Sequence, residues 1–253
     1  MSLNTFFNKA IICGFLFAVI ITSTAFAEIR LPNIIGSNMV LQQKSKVKLW
    51  GWSNPSEKIF ITTSWNNKKD SVVADGNAKW SIQVETPAAG GPYTITLKGD
   101  NTIKLENILV GEVWVCSGQS NMEWSSNQKL QQIIDEMPNS SNGNLRLFQV
   151  PKTTSGHPQD NLEGSWKASG PDALKGFSAV GYFFAKELQQ KLNVPIGIIN
   201  SSWGGTPAET WTPAEAVKEQ PSLLDAAAAQ KPTAWWPVKT ALAYKAMIAP
   251  ATN

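Results

Sequence analysis

The chain has 253 residues, 42% of them hydrophobic and 16% charged, with 18 Gly and 15 Pro. That composition excludes a disordered chain, which lacks apolar material to bury, and a coiled coil, whose heptads Gly and Pro would interrupt. A net charge of +3 is too mild for a nucleic-acid footprint, so no nucleic-acid partner is expected.

Lys9 leads into the apolar run Ile11 to Ile21, which relaxes through Thr22, Ser23 and Thr24 to Ala25-Phe26-Ala27. A charged start, a short apolar stretch and an A-x-A site predict a secretory signal peptide over residues 1–27, cleaved after Ala27. The run is too short to span a bilayer comfortably and no basic stop-transfer flank follows, so no membrane anchor is expected after cleavage. Cys13 lacks the small residues that precede a lipoprotein cysteine. The expected destination is export, to the periplasm or outside the cell. There the chain keeps one thiol, Cys116, so no internal disulfide is expected. With a single His in the sequence, neither a Cys cluster nor a His-rich zinc site is expected, and no metal or other cofactor. Nothing in the sequence speaks to oligomeric state.

From Leu31 to Asn107 the sequence reads as short strands with turns between them: Val47 to Trp52, Lys58 to Thr63, Ser71 to Ala74, Lys79 to Val84 and Tyr93 to Leu97. Asp75-Gly76 reads as a hairpin turn, because both residues tolerate positive φ. Gly90-Gly91-Pro92 and Gly99-Asp100-Asn101 punctuate the later strands. This spacing predicts a small all-β sandwich domain over residues 28–107.

The pattern changes after Asn107. Ile108 to Cys116 reads as a strand buried on both faces, and Leu145 to Val150 as another. Ser178 to Leu192 reads as a helix whose apolar face is Val180, Phe183, Phe184, Leu188 and Leu192. Asn193-Val194-Pro195 ends it, Ile196 to Ser201 is a further buried strand, and Thr212, Pro213 and Glu215 form a capping box that opens the next helix. The short Ala226 to Ala229 run falls in a helix. Strand and helix alternate, which predicts an α/β domain with a largely parallel sheet over residues 108–253.

In such sheets ligands bind at the carboxyl ends of strands. The strand Ile108 to Cys116 runs into Ser117-Gly118-Gln119-Ser120-Asn121-Met122, where a Ser can present its hydroxyl and its backbone N–H to a reacting carbonyl; the plainer reading is a polar turn before a helix. The second strand end, Asn200 to Thr206, carries Gly204-Gly205, which either lets the backbone approach a ligand or makes a tight turn.

Gly118-Gln119-Ser120-Asn121-Met122-Glu123-Trp124, preceded by Gly111-Glu112-Val113-Trp114, resembles the nucleophile block of the sialate O-acetylesterase family of the SGNH hydrolases. Met39-Val40-Leu41-Gln42-Gln43, Ser178-Ala179-Val180-Gly181-Tyr182, and Trp203-Gly204-Gly205-Thr206 with Trp211 are similar to further stretches of that family. The resemblance runs from about Leu31 to Pro250.

It implies an SGNH-like α/β/α three-layer domain, incomplete here, behind the β-sandwich. It implies an enzyme that hydrolyses O-acetyl groups of sialic acid or a related acetylated glycan, with Ser120 as nucleophile. The Ser120 N–H and the Gly204 N–H (Gly205 is the alternative) would form part of the oxyanion hole. Gln119, Asn121, Trp124, Trp203 and Trp211 would contact the sugar. The family's third oxyanion donor, an Asn in a block resembling Gly-Glu-Ser-Asn, and its base, a His three residues after an Asp, do not occur here. Met247-Ile248-Ala249-Pro250 resembles the stretch that precedes the Asn block, so a truncated chain of weak or no activity is expected, its sheet leaving an apolar edge uncovered. His157, the only His, lies before Asp160, the reverse of the family's order, and is not expected to act as base. Two other readings compete: a non-catalytic sugar-binding protein with Trp124, Trp203 and Trp211 as platforms, and an acetylxylan esterase on the same fold.

Overall fold

The computed structural model describes residues 28–251; the signal peptide expected over residues 1–27 lies outside the described residues. In chain order come β1 (Val40–Gln42), β2 (Lys46–Trp52), β3 (Lys58–Thr63), β4 (Lys69–Val73), β5 (Lys79–Glu85), β6 (Gly90–Lys98) and β7 (Thr102–Gly118). After them come α1 (Ser120–Glu123), α2 (Gln131–Glu136), β8 (Asn142–Gln149), β9 (Trp166–Ser169), α3 (Pro171–Leu174), α4 (Ala179–Leu192), β10 (Ile196–Ser202), α5 (Ala214–Lys218) and α6 (Pro221–Ala229). A π-helical turn, Tyr244–Ile248, follows.

An eight-stranded sheet runs β4-β3-β6-β7-β10-β8-β9, with β1 beside β7, and β2 and β5 form a second, two-stranded sheet. The first part of β7 is antiparallel to β6, from Lys98↔Thr102 to Gly90↔Val110. Its middle is parallel to β1 at Leu109 to Gly111, and its last part is parallel to β10 from Glu112 to Gly118. This is the expected α/β class with additional N-terminal strands.

Leu49, Trp80 and Val84 of the small sheet pack with Ile59, Ile61, Ile95 and Leu97 of the large one. The same cluster continues into Phe148, Trp166, Ile199 and Met247, so one core runs past the Asn107–Ile108 step. Each such buried aliphatic contributes about 1.5–3 kcal/mol. A second cluster, with Cys116, Leu145, Leu147, Phe177, Tyr182 and Ile198, lies under α4.

A buried Arg146 braces the middle of the sheet. It donates through Nε to the Gly143 carbonyl, and through its two terminal nitrogens to Asn38 Oδ1 and Asn107 Oδ1. Burial lowers its affinity for a proton, but a guanidinium stays charged, so these hydrogen bonds are what make its position tolerable.

Several local expectations are corrected. Asp75-Gly76 is not a hairpin turn: β4 pairs with β3 and β5 with β2, so the turn carries the chain from one sheet to the other. Asp75 Oδ1 accepts from the N–H groups of Asn77 and Lys79, and the positive φ of 62° falls on Ala78. Gly90-Gly91-Pro92 begins β6 rather than separating strands, in a stretch whose pairing with β7 is irregular. The strand expected at Ile108 starts at Thr102 and is not buried on both faces, since Trp114 and Val115 are 43% and 53% exposed.

Helix α4 is capped as expected by Ser178, whose Oγ accepts from the Gly181 N–H at 3.0 Å, and ends at Asn193 with φ 52°. The face it buries is only partly the expected one: Phe183 and Leu188 pack against the second core, but the buried residues are Ala179, Gly181, Tyr182 and Ala185, while Val180, Phe184 and Leu192 are exposed. The helix packs on β10 and β8, and its buried face mixes the small Ala179, Gly181 and Ala185 with the large Tyr182. A Cβ on Gly181 would stand 3.4 Å from Cys116 Sγ. The expected capping box also fails, because Thr212 Oγ1 donates to the Ala208 carbonyl and Pro213 caps α5.

Two predictions follow from the way β7 is held. A Cβ on Gly111 would fall 1.9 Å from the Pro195 carbonyl oxygen, a backbone atom that cannot rotate away. Gly111→Ala is expected to destabilise the fold by at least about 1–3 kcal/mol in denaturant melts. Gln43 and Gln42 donate to the Glu112 carboxylate and hold it below its ordinary value of 4.5. A depressed carboxylate adds stability that is complete above its unfolded pKa and is lost as pH falls through the folded one. Urea midpoints measured from about pH 6 to pH 3 should therefore fall less steeply in Glu112→Gln than in the parent.

Candidate active site

The end of β7 and the end of β10 meet. The Ser202↔Gly118 register continues into a hydrogen bond from the Trp203 N–H to the Gly118 carbonyl at 2.9 Å. Gly118 has φ +146°, a backbone turn that L side chains rarely adopt, and Ser120 opens α1 two residues later. The Gln119 carbonyl accepts from the N–H groups of Met122 and Glu123.

This register brings the loop after β10 against the predicted nucleophile. A Cβ on Gly204 would stand 3.2 Å from Ser120 Oγ and 3.5 Å from Ser120 Cα, so only glycine leaves room for a reacting group there. Ser120 and Gly204 are thus neighbours, as the sequence suggested. Gly205 serves another contact: with φ +83° it seats Trp236, whose ring would lie 2.6 Å from a Cβ.

Two charged residues that sequence reasoning gave no role complete the cluster. Glu123 accepts the Gly204 N–H through Oε2 and a hydrogen bond from Lys152 Nζ through Oε1. Lys152 also stands 5.9 Å from the centroid of the Trp203 ring. Glu123 lay in plain view inside the motif, but Lys152 lies in the segment after β8 and only the fold brings it here.

The tryptophans separate. Trp211 Nε1 donates to Thr206 Oγ1 at 2.8 Å, and Thr206 Oγ1 donates to the Trp203 carbonyl at 2.6 Å, so Trp211 braces the loop from its partly buried position. Trp203 is also partly buried against the core. Trp124 is 47% exposed and lines, with Asn121, Leu130, Val180 and Phe183, a shallow cavity of about 370 Å³. Gln119 is exposed. A cleft of about 410 Å³ lies elsewhere, at β2 and β5 beside the Lys79–Asp160 ion pair, and shares no residue with this cluster.

Ser120 is the better nucleophile candidate than the nearby thiol. Burial pushes the Cys116 thiol up, which leaves it protonated and inert. Among the described residues no side chain hydrogen-bonds to Ser120 Oγ. His157 is exposed, and its backbone N–H donates to Ser155 Oγ at 3.1 Å. No group of three His, Cys, Asp or Glu residues among those described is arranged to hold a metal ion, and no helix among them is long and apolar enough to cross a membrane.

Known proteins share this arrangement of sequence. Rat (Rattus norvegicus) sialate O-acetylesterase is 30% identical over 207 residues, which are 75% of this chain and 38% of the relative. The human (Homo sapiens) sialate O-acetylesterase is 28% identical over 207 residues, covering 75% and 40%. The chain thus spans about two fifths of the curated relatives it matches. The crystal structure of a carbohydrate acetylesterase from Xanthomonas citri is similar at a TM-score of 0.76 and 37% identity, over 88% of this chain and 48% of that one. Residues 110–244, which carry both strand ends and everything between them, match the family described as carbohydrate esterase, sialic acid-specific acetylesterase, and the chain belongs to that family.

Proposed function

We propose that the protein is a carbohydrate esterase that removes O-acetyl groups from sialic acid or a related acetylated sugar through an acetyl-Ser120 intermediate. The observation that carries this reading is Ser120 Oγ standing beside the Gly204 backbone where two parallel strands end. Ser120 Oγ attacks the acetyl carbonyl, the sugar hydroxyl leaves, and water then cleaves the acetyl-serine to release acetate. The negative charge that develops on the carbonyl oxygen is met by the Ser120 N–H and by the Gly204 N–H once Glu123 releases it. The Gln119, Asn121 and Trp124 side chains flank Ser120 in sequence, are exposed, and fit contacts with the sugar. The N-terminal pattern supports export behind a signal peptide over residues 1–27.

A serine hydroxyl is a weak nucleophile without a base in reach. Since no described residue takes the Ser120 proton, the 253-residue chain by itself turns over acetyl esters slowly. The same observation favours a second reading, sugar binding without catalysis. Acetate release from a chromogenic acetyl ester separates the two. The esterase reading expects turnover about a thousandfold above the uncatalysed rate, by analogy with hydrolases that keep an oxyanion hole but lack their base. That residual rate needs no nucleophile, so Ser120→Ala and His157→Ala should both leave it within about threefold from about pH 5 to pH 9, whereas in a version lengthened with the family's Asn and Asp/His blocks Ser120→Ala should cost several orders of magnitude. A parent rate no faster than buffer overturns the esterase reading. A step near pH 6.5 abolished by His157→Ala would make His157 the base.

Gly204→Val tests the oxyanion donor separately. Its branched side chain would collide with Ser120 and Glu123, and kcat should drop by about a hundredfold or more in a folded variant. An unchanged kcat would move the donor to Gly205.

A further inference from the structure

We propose that Lys152 determines specificity for acidic sugars by binding the substrate's carboxylate, and that Glu123 holds its place until substrate arrives. The inference rests on the esterase reading and names its substrate class: acetylated sugars that carry a carboxylate.

Glu123 bridges two groups that a substrate of this kind needs. Its Oε2 takes the Gly204 N–H and its Oε1 takes Lys152 Nζ. The point where a Cβ on Gly204 would stand lies 2.8 Å from Glu123 Oε2 and 3.2 Å from Ser120 Oγ. The carboxylate, the nucleophile and the N–H therefore surround one small volume. An acetyl oxygen can reach the Gly204 N–H only if the Glu123 carboxylate leaves it.

That displacement breaks the ion pair as well. Lys152 is then an ammonium beside the Trp203 ring, at 5.9 Å from its centroid, held over the aromatic face but without an anion. A neutral sugar leaves it so, and Glu123 competes to return. A sugar with its own carboxylate replaces the lost partner, and the exchange is one carboxylate for another. The Lys152 and Glu123 side chains are 42% and 20% exposed. Pairs at this depth are weakly held, so the exchange is open to a ligand arriving from solvent. Discrimination then arises from the penalty on the neutral competitor as much as from attraction to the acid.

The test is a binding measurement that needs no turnover. N-acetylneuraminic acid and its methyl ester, which differ in that one charge, are titrated into the full chain at low ionic strength by calorimetry, with tryptophan emission as a second readout. The acid should bind at least about tenfold more tightly than the ester. Lys152→Ala should bring the two within about twofold, Lys152→Arg should restore most of the preference, and Glu123→Gln should tighten acid binding by removing the competitor. Equal affinities in the parent, a preference that persists in Lys152→Ala, or no binding of either compound overturns the proposal. Ser120→Ala should keep the preference. A preference without acetate release from acetyl esters would sink the esterase reading and leave the carboxylate site standing. Acetate release without the preference would do the reverse.

Discussion

Backbone pairing along a single strand holds the two halves of the molecule in register. Buried N–H and C=O groups must find partners, and β7 finds its partners in three places, β6, then β1, then β10. At about 3.3 Å per residue such a strand is a long, stiff element. Its first half belongs to the N-terminal core and its last residue lies two before Ser120. The handover at Gly111 is possible because nothing but a hydrogen projects toward Pro195 there. The position of the nucleophile is therefore a consequence of sheet register. A slip of one residue between β7 and β10 would turn every side chain to the opposite face and separate Gly204 from Ser120.

Once register has placed the loop, side chains keep it there. Trp211, Thr206 and the Trp203 carbonyl form a chain of hydrogen bonds beneath it, and Trp236 packs on Gly205 above. Glu123 and Lys152 join α1 to the segment after β8. A carboxylate next to a serine that must become negative looks unfavourable, because like charges oppose one another. It is tolerable while Lys152 balances it, and its removal from the Gly204 N–H is the change that prepares the site for an ester.

Much of this was legible in the sequence, for local reasons. The spans of β2, β3, β5 and β10 follow from β-branched and aromatic runs between turn residues, and the Ser120 and Gly204 loops follow from the motifs at two strand ends. What was not legible depends on distant neighbours. The buried face of α4 is set by how it packs on the sheet, which takes in Ala179, Gly181, Tyr182 and Ala185 and leaves out the Val180 and Phe184 that hydrophobicity alone selects. The turn at Asp75 was recognised as a turn, but its strands part because β5 finds β2 and β4 finds β3. Trp211 reads as a sugar platform when only its aromatic ring is considered; its N–H, which Thr206 accepts, turns it inward. Lys152 has no local signal, since its partner is Glu123, which only the tertiary structure brings near.

The second half of β7 shows what an expectation of full burial leaves out. From Glu112 to Gly118 its one strand partner among the described residues is β10; on the other edge the Val113 N–H donates to Gln42 Oε1, and no strand pairs with the backbone beyond it. Trp114 and Phe184 meet edge to face at 5.3 Å there, which removes some of their surface from water but leaves both more than 40% exposed. An open edge lined with large apolar groups invites pairing with another strand. Val115, 53% exposed and in neither core cluster, is under little packing constraint. Cys116 is constrained, because it lies under α4 in the second core. Alternation along the strand thus sets two adjacent residues under opposite constraints, and the nucleophile depends on the buried one.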